Sequence, residues 1–294
     1  MDSFHEINSG DEWKNKLYAH IITGFTGNPQ EQEHAYKQIG YYLCCAPAYL
    51  YKYYRDDTKN LNAVKENKMW YSAPCKFNDI FDCDISIDEE KIFEQEIKAS
   101  VIGKVITPGS TRWNEIKKTL GHHVHLMKSN LEVIINEMGV SCLSESYKSL
   151  LMWGHYTGNH RGICVKYKLS KIFSELNLLP MPVIYSDRKI CLNSFQQGIT
   201  DNNSVKFCIQ SVTTKSPEWR YEQEWRIIRD QKVCGDKWNV NKKGALLEMV
   251  RPSAIFLGCA AKPEFEKEVK EYCEASRINL YKMEKDPIQY KLNE

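Results

Sequence analysis

The chain has 294 residues, with 40 basic and 38 acidic side chains and a formal charge of +2. That balance excludes a general polyanion binder, which needs a basic excess or stripe. Hydrophobic residues make up 42%, enough for a sizeable core. The eleven cysteines are odd in number, irregularly spaced and without a C-x-x-C pair. They therefore read as reduced thiols of a cytoplasmic protein, not as a disulfide framework. The opening MDSFHEINSGDEWKN has neither the basic nor the apolar region of a secretory signal. No apolar run approaches the ~20 residues of a membrane span, so no membrane partner is expected.

Trp13, Leu17, Ile21 and Phe25 recur every four residues and predict a helix over 11–25. Ala35, Ile39 and Tyr42 share a face of a second helix over 30–45, which ends before Pro47. Together these read as a helical N-terminal extension over residues 1–48. Strand signal begins at Tyr49 in YLYKYY, followed by a short helix over 59–67 and a strand in MWYSAP. Residues 86–138 read as a helical insert broken near Pro108-Gly109. Further strands are expected over 140–144, 162–167, 181–186, 224–229, 254–258 and near 279–283, and further helices over 203–213 and 262–276. The irregular strand spacing excludes a steady βαβ alternation, and neither GxGxxG nor GxxxxGK[ST] occurs. The expected fold is α+β: mixed, mainly antiparallel sheets with packed helices, in a single domain over 49–294 behind the extension.

Several blocks of uncommon residues stand out. They are Leu50-Tyr51-Lys52-Tyr53, Trp70-Tyr71-Ser72-Ala73-Pro74 running into Phe77-Asn78-Asp79-Ile80-Phe81-Asp82, Cys142-Leu143-Ser144-Glu145, Met152-Trp153-Gly154-His155-Tyr156, His160-Arg161-Gly162 and Tyr221-Glu222-Gln223-Glu224-Trp225-Arg226. In this order they resemble a widespread bacterial family of unknown function, over roughly residues 49–260. The chain is also distantly similar to ADP-ribosyltransferases of the Arg, Ser-x-Ser, Glu-x-Glu type, DarT-like enzymes among them. Those enzymes carry a basic residue on an early strand, a serine strand and a late strand opened by two glutamates. Here Lys52 or Arg55, then Ser144 with Ser146, then Glu222-x-Glu224 stand in that order. Glu145 replaces the usual central threonine and Cys142 the usual aromatic. The resemblance implies an ADP-ribosyltransferase-like catalytic domain that uses NAD as substrate and modifies a macromolecular acceptor, protein or nucleic acid. It further implies a bacterial toxin or anti-phage effector, with a neutralising antitoxin or a defence-complex partner.

Each candidate has a chemical reason. Breaking the nicotinamide–ribose bond creates an oxocarbenium-like centre, which a carboxylate in a water-excluded site stabilises. Glu224 takes that role. Glu222, two residues away on the same strand, would share its face and orient or deprotonate the acceptor. Ser144, followed by Ser146, supports the ribose. Arg55 or Lys52 would hold the pyrophosphate. Tyr53, Tyr71, Trp153 and Tyr156 offer aromatic faces for the nicotinamide, and His155 lies beside them. Ser144, Glu224 and one of Lys52 and Arg55 are thus expected to line one cleft, with Trp70, Phe77 and Trp153 buried nearby.

Other readings use the same residues. Glu224 and Arg226 can pair structurally. Asp79, Asp82 and Asp84 could hold Mg²⁺ in a nuclease, or Asn78 and Asp79 could simply form a turn, the reading favoured here since no metal-binding spacing occurs. A non-catalytic module could use the aromatic cleft to bind a nucleotide or a protein.

Overall fold

In the computed structural model, residues 12–99, 107, 109–194 and 201–294 are described. Pro108, part of the helix break expected at Pro108-Gly109, lies outside the described residues. The chain divides into two compact units, each discontinuous in sequence. One takes the chain up to Cys44, Phe77–Glu137 and Ile184–Ser216; the other takes Cys45–Lys76, Met138–Val183 and Pro217–Glu294. The two N-terminal helices, expected as an extension over 1–48, fall in the first unit. They share a unit with the helical insert and with a third stretch that the sequence reading placed in the main domain.

The first unit is mainly helical. Its helices are Glu12–Thr26, Pro29–Leu43, Glu89–Ala99, Thr111–Asn136 and Asp201–Ser211. The second of these begins in a capping box. Asn28 Oδ1 accepts from Glu31 N (3.0 Å), the Glu31 carboxylate accepts from Asn28 N (2.8 Å), and Pro29 needs no donor at the first position. Leu17, Ile21, Ala35, Leu131 and Phe207 are buried in this unit, whereas Phe25 is exposed. Two short parallel pairs complete it: Ile85–Ile87 with Ile190–Leu192, and Ile184–Tyr185 with Thr214–Lys215.

The second unit is built on a ten-stranded sheet. Its strands are β1 (Tyr49–Tyr54), β2 (Lys68–Ser72), β3 (Met138–Ser144), β4 (Ile163–Lys168), β5 (Met181–Pro182), β6 (Glu224–Asp230), β7 (Trp238–Asn239), β8 (Gly244–Glu248), β9 (Ala254–Leu257) and β10 (Asn279–Lys282). The order is β7-β8-β2-β3-β1-β4-β9-β10, with β6 paired to β3 and β5 paired to β6. Every pair is antiparallel except β9 with β10, which the helix Pro263–Ser276 joins as the crossover a parallel pair requires. β3 is the hub. β6 pairs with it from Met138 to Ser144, while β2 meets it at Val140 and β1 at Ser144. The segment expected as one strand over 181–186 breaks at Val183, and its two halves pair with different partners.

The face of the sheet that carries Tyr51, Tyr53, Cys164 and Phe256 is covered by Trp153 and Met152 of the helix Leu150–Tyr156 and by Met283. Trp153 is wholly buried, as expected, and Trp70 is half-buried. Phe77, also half-buried, belongs to the other unit. No described helix is long and apolar enough to cross a membrane.

The H-x-G block has a packing reason. A Cβ at Gly162 would lie 2.0 Å from the Tyr54 carbonyl oxygen and 3.0 Å from the Arg55 carbonyl carbon, so only glycine lets the start of β4 approach the end of β1. Gly162→Ala should therefore lower stability by ~3 kcal/mol or more, because backbone has to move. Gly154→Ala, in a helix where an added Cβ meets nothing within 4 Å, should be neutral or stabilising by up to ~1 kcal/mol. Urea midpoints of the two variants check the contrast.

Candidate functional site

The site begins with a register. Ser144, the last residue of β3, stands opposite Glu224 on one side and Tyr51 on the other, so these three side chains share a face of the sheet. Ser144 is fully buried. Its hydroxyl donates to the Glu222 carbonyl oxygen (2.6 Å) and accepts from Ser146 N (3.2 Å). Glu222 is not on β6. It ends the 3₁₀ turn Pro217–Glu222, and Gln223, at φ 45°, reverses the chain before β6 begins. The same-face argument for Glu222 and Glu224 thus fails, but the turn is still held against β3. Glu145 N donates to the Gln223 carbonyl (3.1 Å) beside the Ser144 bond.

Both carboxylates are withdrawn from water, Glu222 at 3% exposure and Glu224 at 4%. Tyr156 OH donates to Glu222 Oε1 (2.5 Å). Arg226, wholly buried, grips Glu224 with a fork: Nε to Oε1 at 2.7 Å and Nη2 to Oε2 at 3.1 Å. Charge-assisted bidentate bonds of this kind are strong and directional. On the opposite face, Trp225 Nε1 donates to Glu145 Oε1 (2.6 Å) and fixes the same pair of strands.

The basic residues expected to complete the cleft lie elsewhere. Lys52 follows Tyr51, so strand alternation turns it to the other face, where its Nζ donates to Ser141 Oγ (3.0 Å). Burial pushes its amine below the ordinary lysine range, with Cys142 and Glu224 acting the other way. Arg55 is exposed beyond the end of β1. The cation that joins Ser144 and Glu224 is Arg226, whose signal in the sequence was only its i, i+2 spacing from Glu224.

The aromatic candidates separate in the same way. Tyr53 OH donates to the Ser146 carbonyl (2.8 Å), and its ring meets Trp153 edge-on at 5.5 Å. Trp153 Nε1 donates to the Tyr147 carbonyl (2.7 Å). These two brace the Ser146–Tyr147 turn from inside. Tyr71 is wholly buried on the opposite face, away from Ser144. Tyr156 is half-buried beside Glu222, and exposed His155 lies 6.4 Å from the half-buried Tyr221 ring. Trp219 continues the row at 6.0 Å from Tyr221. Trp219 carries no motif and was not singled out from sequence, whereas Tyr221 opens the Tyr221–Arg226 block.

The aspartates of the Phe77–Asp84 loop do not converge on a metal geometry. Asp79 Oδ1 accepts from Phe81 N (3.0 Å), Asp82 pairs with the buried Lys215 (3.5 Å), and Asp84 is bound by Lys189 Nζ. Among the described residues no group of three or more His, Cys, Asp or Glu is placed to hold a metal ion. The loop aspartates act as loop anchors in the first unit.

A family model described as a protein of unknown function (DUF2971) matches residues 152–227. That span opens in the helix Leu150–Tyr156 and closes inside β6, so it contains Tyr156, Glu222, Glu224 and Arg226 but not Ser144. No curated protein and no solved structure matches the chain.

The fork makes a stability prediction. Glu224→Gln removes the carboxylate charge that the buried Arg226 fork grips, and Arg226→Met removes the fork from the buried Glu224. Each should cost ~3–5 kcal/mol, and the double variant Glu224→Leu/Arg226→Met should recover much of the loss. Denaturant midpoints across the four proteins measure it; additive losses in the double variant would contradict the pairing.

Proposed function

We propose that the chain is an ADP-ribosyltransferase that consumes NAD, with Glu222 as the carboxylate at the reacting carbon. The observation that carries the reading is the Ser144 hydroxyl bound to the Glu222 backbone while the Glu222 carboxylate receives the Tyr156 phenol. A serine, two buried carboxylates and a row of partly exposed aromatics meet at the end of β3. In such a site the N-glycosidic bond of NAD breaks and nicotinamide leaves with the bonding pair. An O–H or N–H of the acceptor forms the new bond to the ribose C1′, and its proton passes to a carboxylate.

The roles differ from those expected from sequence. Both oxygens of Glu224 face Arg226, so its charge is compensated where it sits and its work is to hold β6 in register. Glu222 lies at the chain reversal beside Tyr156 and Tyr221, where a planar base can stack. Its negative charge, in a site withdrawn from water, opposes the developing oxocarbenium. The macromolecular acceptor, the toxin or anti-phage role and an antitoxin or defence-complex partner follow from the resemblance alone, and the cytoplasmic setting from the cysteine usage.

Glu222→Gln tests the assignment, because glutamine keeps the shape and can still accept from Tyr156. It should lower nicotinamide release by ~10²–10³-fold, the usual worth of one oriented charge in a dry site, with the melting temperature little changed. The assay follows nicotinamide released from NAD by mass spectrometry, with and without cell extract. No release by the parent under either condition sinks the transferase reading; a fully active Glu222→Gln sinks the role of Glu222.

A further inference from the structure

On the face of the sheet opposite Ser144 and Glu224, two residues that flank Gly139 each carry a buried donor without an acceptor. The Tyr71 hydroxyl and Arg229 Nε are both inaccessible to water and have no hydrogen-bond partner. Tyr71, on β2, is wholly buried, and Arg229, near the end of β6, is half-buried. Gly139 lies between the two residues. A Cβ there would lie 3.1 Å from Tyr71 Cβ, 3.3 Å from the Trp238 ring and 3.7 Å from the Arg229 carbonyl oxygen. Arg229 stands directly opposite Gly139 in the β3–β6 register. Burial pushes the Tyr71 phenol up, and the Arg229 charge reaches it and acts the other way.

The other groups around the pair do not supply an acceptor of matching charge. Asp230, next along β6, uses Oδ1 to cap the following turn at Lys232 N (2.6 Å). Cys234 is a buried thiol that burial pushes further from ionisation. A guanidinium has only donors, and its planar fork matches oxyanions. A phenol beside it can donate a further bond. Donors buried with no acceptor are costly to leave unmade, so the chemistry that completes this pair is an anion with several acceptor oxygens.

We propose that Arg229 and Tyr71 form a binding site for a phosphate-type oxyanion, entered along the half-exposed Arg229 side chain and roofed by Trp238. It uses neither Ser144, Glu222 nor Glu224, and it stands or falls independently of the transferase reading. Both free phosphate and the phosphate of a monoester present this chemistry.

The test is thermal melting of the full chain, since a ligand bound to the folded state alone raises the melting temperature with concentration. Inorganic phosphate and glycerol 3-phosphate are titrated in parallel against sodium chloride at matched ionic strength. A saturable rise beyond the chloride control is expected in the parent, lost in Arg229→Gln and weakened in Tyr71→Phe. Saturation at lower concentration by glycerol 3-phosphate assigns the site to a monoester; by phosphate, to the free ion. Tyr71→Phe keeps the ring and removes only the hydroxyl, so it carries the test should Arg229→Gln fail to fold. A parent that melts alike in phosphate, monoester and chloride overturns the proposal, as does an undiminished rise in Tyr71→Phe.

Discussion

A carboxylate and a guanidinium, at 4% and 0% exposure, survive inside β6 because each satisfies the other through two hydrogen bonds. Either alone in that place would be strongly unfavourable. The pair therefore fixes where β6 must lie against β3, and the side-chain period of two leaves no intermediate choice. A slip of one residue would send Glu224 and Arg226 to the opposite face. With the register held, Ser144 stands opposite Glu224, and its hydroxyl meets the carbonyl of Glu222. The candidate site is thus a consequence of one buried charge pair and one strand register.

The sheet around it is shaped by places where backbone approaches backbone. Gly162 passes against the Tyr54 carbonyl and Gly258 against the His160 carbonyl, each at a distance no Cβ could tolerate. These contacts hold the start of β4 against the end of β1, and the end of β9 against the turn that leads into β4. Trp153 then fills the same face, donating to Tyr147 and receiving the edge of Tyr53. The turn after Ser144 is consequently braced from below by aromatics and from the side by Glu145 and Trp225. Rigid support of this kind holds a side-chain constellation in place better than a free loop does.

Much of the strand skeleton was legible in the residues. YLYKYY, VSCLS, EWRIIR and AIFLG read as strands because β-branched and aromatic residues cluster there, and 262–276 read as a helix from its apolar spacing. The helices Leu150–Tyr156 and Leu169–Leu176 were missed because two turns carry too little periodicity. β8, five residues long, was missed as well. The two compact units were not legible for a different reason: units made of three separate stretches each leave no linker to find. At the site, order along the chain suggested Ser144, Glu222 and Glu224 together, and the β3–β6 register brings the three close. Geometry could not be read the same way. The left-handed Gln223 carries no glycine to announce it, so Glu222 read as strand. The face of Lys52 depends on Tyr51 pairing with Ser144, a long-range fact with no local signature.

On the proposed reading, NAD meets the Ser144 end of β3 beside Glu222. The most direct measurement is a titration of NAD into protein labelled with ¹³C at the tyrosine rings, with signals assigned by single Tyr→Phe variants. Tyr156 and Tyr221, beside Glu222, should shift together and saturably, while Tyr71 on the opposite face stays in place. Movement of Tyr71 without Tyr156, or no saturable shift in any tyrosine, would contradict it.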